Sequence, residues 1–252
     1  MFRTFIYVDK EKLYSYMRQT GVVSLSEPKS GASKGQVSAT IPFANLAGSY
    51  EKRIDVEYVK DLGVDFDHFE CALAKRLGDD YFDFVMSSNY DINTVPSMSI
   101  LRFNSPFSIP EKFDIINVTE QLRPILLETL GADIEKKQDK ELLEYYLGNA
   151  SADIPIIMDL EDIRVSANLH TSNLLERYTE LEEYEEQNVH VLCKVIGRRT
   201  TDTVQIFDPL KDFIHLNRAM RRSKGFNDDN KAFDKISIEG PVLKVEVIAM
   251  YK

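Results

Sequence analysis

Residues 154–160 read IPIIMDL, a short apolar run that predicts a buried strand and opens the most regular part of the chain. The elements predicted after it are a helix, two strands, a helix and a strand, at residues 171–187, 189–195, 203–207, 209–222 and 242–251. Together they give the βαββαβ order of a ferredoxin-like unit, in which two helices cover one face of an antiparallel sheet. That fold hosts many unrelated functions, so it predicts a shape and leaves the function open.

The part of the chain before residue 151 predicts a mixed region of strands and helices. Its predicted elements are a strand over 2–8, a helix over 10–19 capped by Asp9, helices over 64–77, 119–130 and 133–147, and a strand over 100–103. The segment GNAS at 148–151 is the predicted boundary. We therefore predict an α+β protein with a mixed region at 1–150 and a ferredoxin-like region at 151–252, as two domains or as one continuous body.

Composition restricts the class of protein. The 252 residues carry a formal net charge of −10, which argues against broad nucleic-acid binding and leaves only a local basic patch open. No stretch reaches the ~20 apolar residues of a membrane span, and no signal-peptide core is seen, so a cytoplasmic protein without membrane contact is predicted. Cys71 and Cys193 lack the spacing of a zinc motif, and their apolar neighbours predict two buried free thiols.

The predicted helix over 171–187 is strongly acidic. It carries six glutamates against a single cation, Arg177. Glu176, Glu180 and Glu183 are the candidate binding residues, as a docking surface for a basic partner or, in the simpler alternative, as a solvated helix face. Carboxylates near a helix C-terminus oppose the helix dipole, which hints that something other than helix stability maintains them.

Basic residues concentrate in and beside the second predicted helix of the C-terminal region. The cluster consists of Lys211, Arg218, Arg221, Arg222 and Lys224. It is a candidate site for phosphate, for an RNA backbone or for an acidic partner, including the acidic helix of a neighbouring copy in a head-to-tail oligomer. The alternative is a structural role, because cations are favoured in the last turn of a helix. Arg198 and Arg199, which follow a strand, are further candidate anion ligands.

Asp159, Glu161 and Asp162 form an acidic group at the end of the predicted strand over 154–160. A magnesium-dependent nuclease or phosphodiesterase requires such carboxylates. The Glu-x-Lys motif that a restriction-type nuclease carries in the adjacent strand is missing, and so are a phosphate-binding loop and a nucleophile elbow. The sequence therefore predicts no cofactor and favours a protein without catalytic activity, with the metal site as the alternative.

Short motifs at both ends of the chain resemble those of an uncharacterised family of bacterial proteins. They are FIYVD at residues 5–9 and VIAMY at 247–251, with VLCKV at 191–195 between them. The resemblance implies a cytoplasmic bacterial protein, in some cases encoded near mobile elements and antiviral defence genes. It implies no reaction and no catalytic residue.

The sequence shows no recognisable set of catalytic residues, and its acidic and basic helices are separate. These two features favour a non-enzymatic binding or regulatory module. Such a module acts through protein–protein contacts, in bacterial defence or stress response, and its expected partner is another protein or a second copy. One alternative is a metal-dependent nuclease or phosphodiesterase that uses Asp159. Another is a small-ligand or nucleotide sensor that uses Arg198 and Arg199.

Overall fold

The computed structural model of this chain describes residues 3–22, 62–87, 90–113, 124–125, 153–199, 202–213 and 234–252. These ranges have a mixed α/β architecture, with few helices and one large, mostly antiparallel sheet. The predicted α+β class is confirmed at this level. Three of the predictions fall outside the described residues. They are the helix over 133–147, most of the helix over 119–130 and the boundary at 148–151.

The described ranges contain ten strands and three α-helices with described bounds, and residues 124–125 are helical as well. The strands are β1 (Phe5–Val8), β2 (Tyr81–Asp83), β3 (Ile100–Ser105), β4 (Phe107–Ser108), β5 (Ile154–Leu160), β6 (Ile163–Leu169), β7 (Val189–Arg199), β8 (Thr203–Phe207), β9 (Ile236–Glu239) and β10 (Val242–Tyr251). The helices are α1 (Lys10–Gln19), α2 (Leu62–Ala74) and α3 (Tyr178–Glu183). Single turns of 3₁₀-helix at Ile92–Thr94 and Thr171–Asn173 and of π-helix at Pro209–Phe213 complete the set.

Strand β10 is the centre of the large sheet. Along one edge it pairs with β7, from Val242 opposite Arg199 to Tyr251 opposite His190. Its other edge is shared, because residues 242–244 pair in parallel with β6 while residues 249–251 pair antiparallel with β1. The strand order is β2-β3-β7-β10-β6-β5-β4, and β8 and β9 form a separate two-stranded sheet.

The sheet curls around its own inner face. Only Pro106 separates β3 from β4, so one chain segment pairs with β7 through β3 and with β5 through β4. The Ser105 hydroxyl donates a 2.8 Å hydrogen bond to the Asp159 carbonyl and so fixes this junction. The inner core that results includes Phe103, Ile156, Val191, Val247 and Met250 among its buried side chains.

Helices α1 and α2 cover part of the outer face. Helix α1 begins where the Asp9 carboxylate accepts the backbone N–H of Lys12 at 3.0 Å, as predicted from the sequence. The outer core contains Leu13 and Met17 of α1, Phe66, Phe69 and Leu73 of α2, and Leu192, Ala249 and Tyr251 of the sheet. The ring of Phe66 meets that of Tyr251 edge to face, with centroids 5.3 Å apart, an arrangement that adds to the hydrophobic gain of burial.

The predicted ferredoxin-like order is not confirmed. Strand β5 is followed by β6 rather than by a helix, since IRVSANL at 163–169 alternates with the period of a strand and pairs with β5 along its whole length. The helix predicted over 171–187 is wrong in extent: only residues 178–183 are α-helical, and Leu181 is the residue of this helix that is buried. Strand β8 pairs with β9 outside the large sheet.

Phe66→Ala is expected to lower the free energy of unfolding by about 3–5 kcal/mol, because it opens a cavity between α2 and the ring of Tyr251. Urea denaturation measures the change. The control Val64→Ala lies on the same helix at a side chain that is 39% exposed, and should change stability by less than about 0.5 kcal/mol. An equally small effect of Phe66→Ala would contradict the packing of α2 on β10.

Candidate functional site

A network of charged side chains joins α2 to the outer face of the sheet. The guanidinium of Arg102 lies between two carboxylates, with Nη1 3.4 Å from Asp83 Oδ2 and 3.6 Å from Glu70 Oε1. Tyr251 donates a 2.9 Å hydrogen bond to the same oxygen, Glu70 Oε1, and Arg3 pairs with the other oxygen of Glu70, Oε2. The side chain of Asp83 is only 3% exposed. A buried charge is costly without a partner of opposite sign, so Asp83 depends on its ion pair with Arg102.

Two ring or guanidinium nitrogens beside this network are buried without a hydrogen-bond partner, Arg102 Nε and His190 Nδ1. The His190 ring stacks on Tyr251, with centroids 5.2 Å apart. Burial, and then the positive charge of Arg102, lower the pKa of His190 below its usual value. The network therefore has the features of a structural anchor, in which a neutral histidine packs beside paired charges.

A cationic cluster lies at the far end of β7 and consists of Arg199, Lys211 and Lys244. Burial lowers the pKa of Lys244 below its usual value, and the positive charges of Arg199 and Lys211 lower it further. Lys244 donates a 3.3 Å hydrogen bond to the Gln205 carbonyl, and Lys211 pairs with Asp212 at 2.9 Å. Like charges are thus held close together with one carboxylate as a partner among the described residues, which is an arrangement that favours binding of a further anion.

Only one of the two arginines predicted as anion ligands belongs to this cluster. Arg198 points to the inner side of the sheet, where it donates hydrogen bonds to the Ile92 carbonyl at 2.6 Å and to Asn93 Oδ1 at 2.9 Å. Arg199 is exposed and lies opposite Val242, two residues before Lys244 on β10. Lys244 was not among the predicted residues, because its neighbours depend on a strand register that the sequence does not display. Arg218, Arg221 and Arg222 lie outside the described residues.

An acidic segment precedes β7 and consists of Glu176, Glu180, Glu182 and Glu183. A hydrogen bond from the Glu176 carboxyl to Glu180 raises the pKa of Glu176, while the backbone N–H of Arg177 lowers the pKa of Glu180. That N–H lies 3.0 Å from Glu180 Oε2. In the described ranges no lysine or arginine forms an ion pair with the four carboxylates, so the segment carries unneutralised negative charge.

The acidic segment and the cationic cluster lie at opposite ends of the two longest strands. Tyr184, next to the acidic segment, has its ring 5.3 Å from Lys252 Nζ, which follows the last residue of β10. Arg199 ends β7 and lies opposite Val242, the first residue of β10. Strand β7 has 11 residues, and its ten steps of about 3.3 Å span about 33 Å. Screening acts over ~8 Å at physiological ionic strength, so the two surfaces do not neutralise each other within one chain.

The acidic group proposed as an alternative metal site occupies a hairpin. Glu161 and Asp162 form the two-residue turn between β5 and β6, with Glu161 at φ +54°, and Asp159 lies on β5 opposite Arg164. Asp159, Glu161 and Asp162 are all exposed. Within the described ranges no group of three or more histidine, cysteine or acidic residues is placed to hold a metal ion.

The two cysteines are both free thiols, but they differ in environment. Cys193 is buried, as predicted, and burial raises the pKa of its thiol. Cys71 is exposed on α2, so the prediction of a second buried thiol is wrong. The reason is helical periodicity, since Phe66, Phe69 and Leu73 form the buried stripe of α2 and Cys71 falls outside it.

The fold and its surfaces define an α+β protein with a curled, mostly antiparallel sheet, two outer helices and oppositely charged ends. The chain belongs to the family described as Domain of unknown function (DUF6414), whose model matches residues 66–251. This confirms the expected membership of an uncharacterised family. No curated protein and no solved structure matches the chain. Across the described ranges, no helix is both long enough and apolar enough to cross a membrane.

Arg102→Met is expected to lower the free energy of unfolding by about 3–5 kcal/mol, because it leaves the buried Asp83 carboxylate without its cation, while Glu70 keeps its pair with Arg3. Chemical denaturation at neutral pH measures the loss. Arg76→Met removes an exposed ion pair with Asp80 and should cost less than about 1 kcal/mol. Equal losses in the two variants would show that the network around Arg102 is solvated.

The pKa of Lys244 is expected to lie below the ordinary value of a lysine, because burial and then the charges of Arg199 and Lys211 disfavour its charged form. The titration is followed by NMR of ¹³C-dimethylated lysines, with Lys244→Arg assigning the signal. In Arg199→Gln the midpoint should move up, since one of the repelling charges is gone. A midpoint that stays unchanged in this variant would contradict the cationic cluster.

Proposed function

We propose that the protein is a non-enzymatic binding module in which the acidic segment of one copy binds the cationic cluster of a second copy, head to tail. The observation that carries this proposal is the separation, by about 33 Å or ten strand steps, of two surfaces whose described residues carry an excess of opposite charge. Each surface repels itself in the free chain. A second copy supplies the opposite charge to both.

The pKa directions support the same contact. The raised pKa of Glu176 reflects a neighbouring carboxylate, and the lowered pKa of Lys244 reflects neighbouring cations as well as burial. Bringing the two surfaces together favours the charged form of both groups, so association relieves repulsion as well as adding attraction. The interface is therefore specific in orientation, because two acidic or two cationic surfaces repel each other.

A head-to-tail contact uses two different surfaces, so each bound copy still presents one free surface of each kind. Such a contact forms a ring if its rotation closes and an open filament if it does not. Assembly of this module then depends on protein concentration and on ionic strength, and a partner of either charge competes with it by covering one surface.

The first test compares assembly at about 0.01 M and about 1 M salt, where charges are screened over roughly 30 Å and 3 Å respectively. Sedimentation velocity over a series of protein concentrations is expected to show growth beyond a dimer at low salt and monomers at high salt. Assembly that resists high salt would contradict a charge-driven contact. A species that stops at two copies would contradict the head-to-tail arrangement.

Charge reversal provides the decisive test. The variant Glu176→Lys/Glu180→Lys and the variant Arg199→Glu/Lys244→Glu should each remain monomeric at low salt, because each loses the charge excess of one of the two surfaces and with it the attraction between them. Mixing the two variants should restore assembly, since opposite signs meet again. The exposed pair Lys75→Glu/Asp79→Lys serves as the control and should assemble like the original chain. Failure of the mixture to assemble would overturn the proposed contact.

A further inference from the structure

A shallow pocket opens on the outer face of the sheet, beside the ends of α1 and α2. Tyr16 and Arg76 come from the two helix ends, Ile100 begins β3, Lys194 lies on β7, and Met98 also lines the pocket. Its cavity volume is about 80 Å³ and it is open to solvent, which is below the range of drug-sized ligand sites and restricts the pocket to a small ligand. The pocket is separate from both charged ends of β7.

Lys194 brings a positive charge into this pocket. Its cross-strand neighbour on β10 is Glu246, but the oxygens of Glu246 bind elsewhere, to the Tyr16 hydroxyl at 2.8 Å and to Lys12 Nζ at 3.3 Å. Lys194 Nζ lies 4.9 Å from the centroid of the Tyr16 ring. Among the described residues no carboxylate forms an ion pair with Lys194, so its charge faces the pocket without an anionic partner.

The other charged side chains of the pocket neutralise each other. Arg76 Nη2 lies 3.1 Å from Asp80 Oδ2, and the two residues are four positions apart. Leu73 and Ile100 contribute an apolar floor, and Leu73 is fully buried. The pocket therefore combines one available cation with an apolar surface, which suits a ligand that has one anionic end and a short aliphatic body.

Met98 gives the pocket an unusual rim. Its backbone has φ +76°, a left-handed conformation that residues other than glycine rarely adopt. Its N–H donates a 2.8 Å hydrogen bond to the Val195 carbonyl. The side chain is 62% exposed. Methionine side chains are flexible and adapt to irregular apolar surfaces, so Met98 is placed to cover an aliphatic ligand in the pocket.

We infer that this pocket binds a small aliphatic monocarboxylate, with its carboxylate at Lys194 Nζ and its hydrocarbon part against Leu73, Ile100 and Met98. A single ammonium group matches a single carboxylate, whereas planar, bidentate recognition of carboxylate or phosphate is the property of an available arginine. The pocket lies on a different surface from the head-to-tail contact, so this inference does not depend on the proposed function.

The test uses hexanoate as the probe and follows backbone amides by ¹H–¹⁵N NMR. Saturable shifts are expected at Thr20, Arg76, Met98 and Lys194. Lys194→Met should weaken hexanoate binding by about tenfold or more, because it removes a charge-assisted contact while keeping an apolar side chain of similar length. The control Lys10→Met removes an exposed lysine at the start of α1 and should bind hexanoate like the original chain.

Matched probes separate this site from nonspecific uptake. 1-Hexanol has the same hydrocarbon body without charge and hexylammonium has the opposite charge, so both should bind more weakly than hexanoate. Equal binding of hexanol, an unchanged affinity in Lys194→Met, or shifts confined to the cationic cluster would each overturn the inference. Salt-dependent assembly should be the same in Lys194→Met and in the original chain, which keeps this test independent of the proposed function.

Discussion

The pairing of β10 on both of its edges is the constraint on which the rest of the structure depends. One edge carries β7, and the other is divided between β6 at its first residues and β1 at its last. The register shift between Val247 and Ala249 places both Ile248 and Ala249 in the outer core. Strand β10 thus contributes side chains to both cores, and helices α1 and α2 pack against the outer core.

The family match begins at residue 66. Strand β1 lies before this residue and pairs with the central strand β10, so the folded unit is larger than the matched segment.

The same two strands also determine how charge is distributed. Strands β7 and β10 run antiparallel side by side, so one end of the pair carries the cationic cluster and the other end lies next to the acidic segment. The buried network around Arg102 sits between these ends and is internally paired. Charges of the buried network are therefore paired within the chain, while the described residues at each end of the strand pair keep an excess of one sign. The paired network around Arg102 therefore has a structural role in holding α2 on the sheet, whereas the two charged ends are the surfaces proposed to bind a second copy.

Elements with a complete local signal could be predicted from the sequence. Strands β5, β8 and β10 and helix α1 have the predicted bounds, because apolar residues of the right period lie between clear turn or capping residues. Strand β6 is harder to predict, because the Glu161–Asp162 turn before it lacks the Asn-Gly or Asp-Gly signal of a two-residue hairpin. The acidic helix was overextended, since charged residues with helical propensity do not by themselves bury a face. Strand β2, with three residues, is too short for any periodicity.

The candidate sites were harder to predict, because they depend on register. The sequence identified Arg199 and the glutamates of the acidic segment, but Lys244 joins Arg199 only through the pairing of β10 with β7. Lys194 depends on the same pairing, and on a cross-strand glutamate whose oxygens are already bound by Tyr16 and Lys12. No spacing within the chain encodes these distances. A long-range arrangement of this kind follows from the sheet and not from any local motif.

The place of β10 in the chain order affects how the protein folds during translation. Residues 242–251 are made after every other described strand. At ~5–20 residues per second, roughly 10–50 s separate the synthesis of β1 from that of β10. During that interval β1 lacks its partner in the native sheet, and so does one edge of β6 once it has been made, and an unpaired strand edge is prone to aggregation. Pairing between segments so distant in sequence also forms slowly, so the nascent chain exposes these edges until β10 emerges.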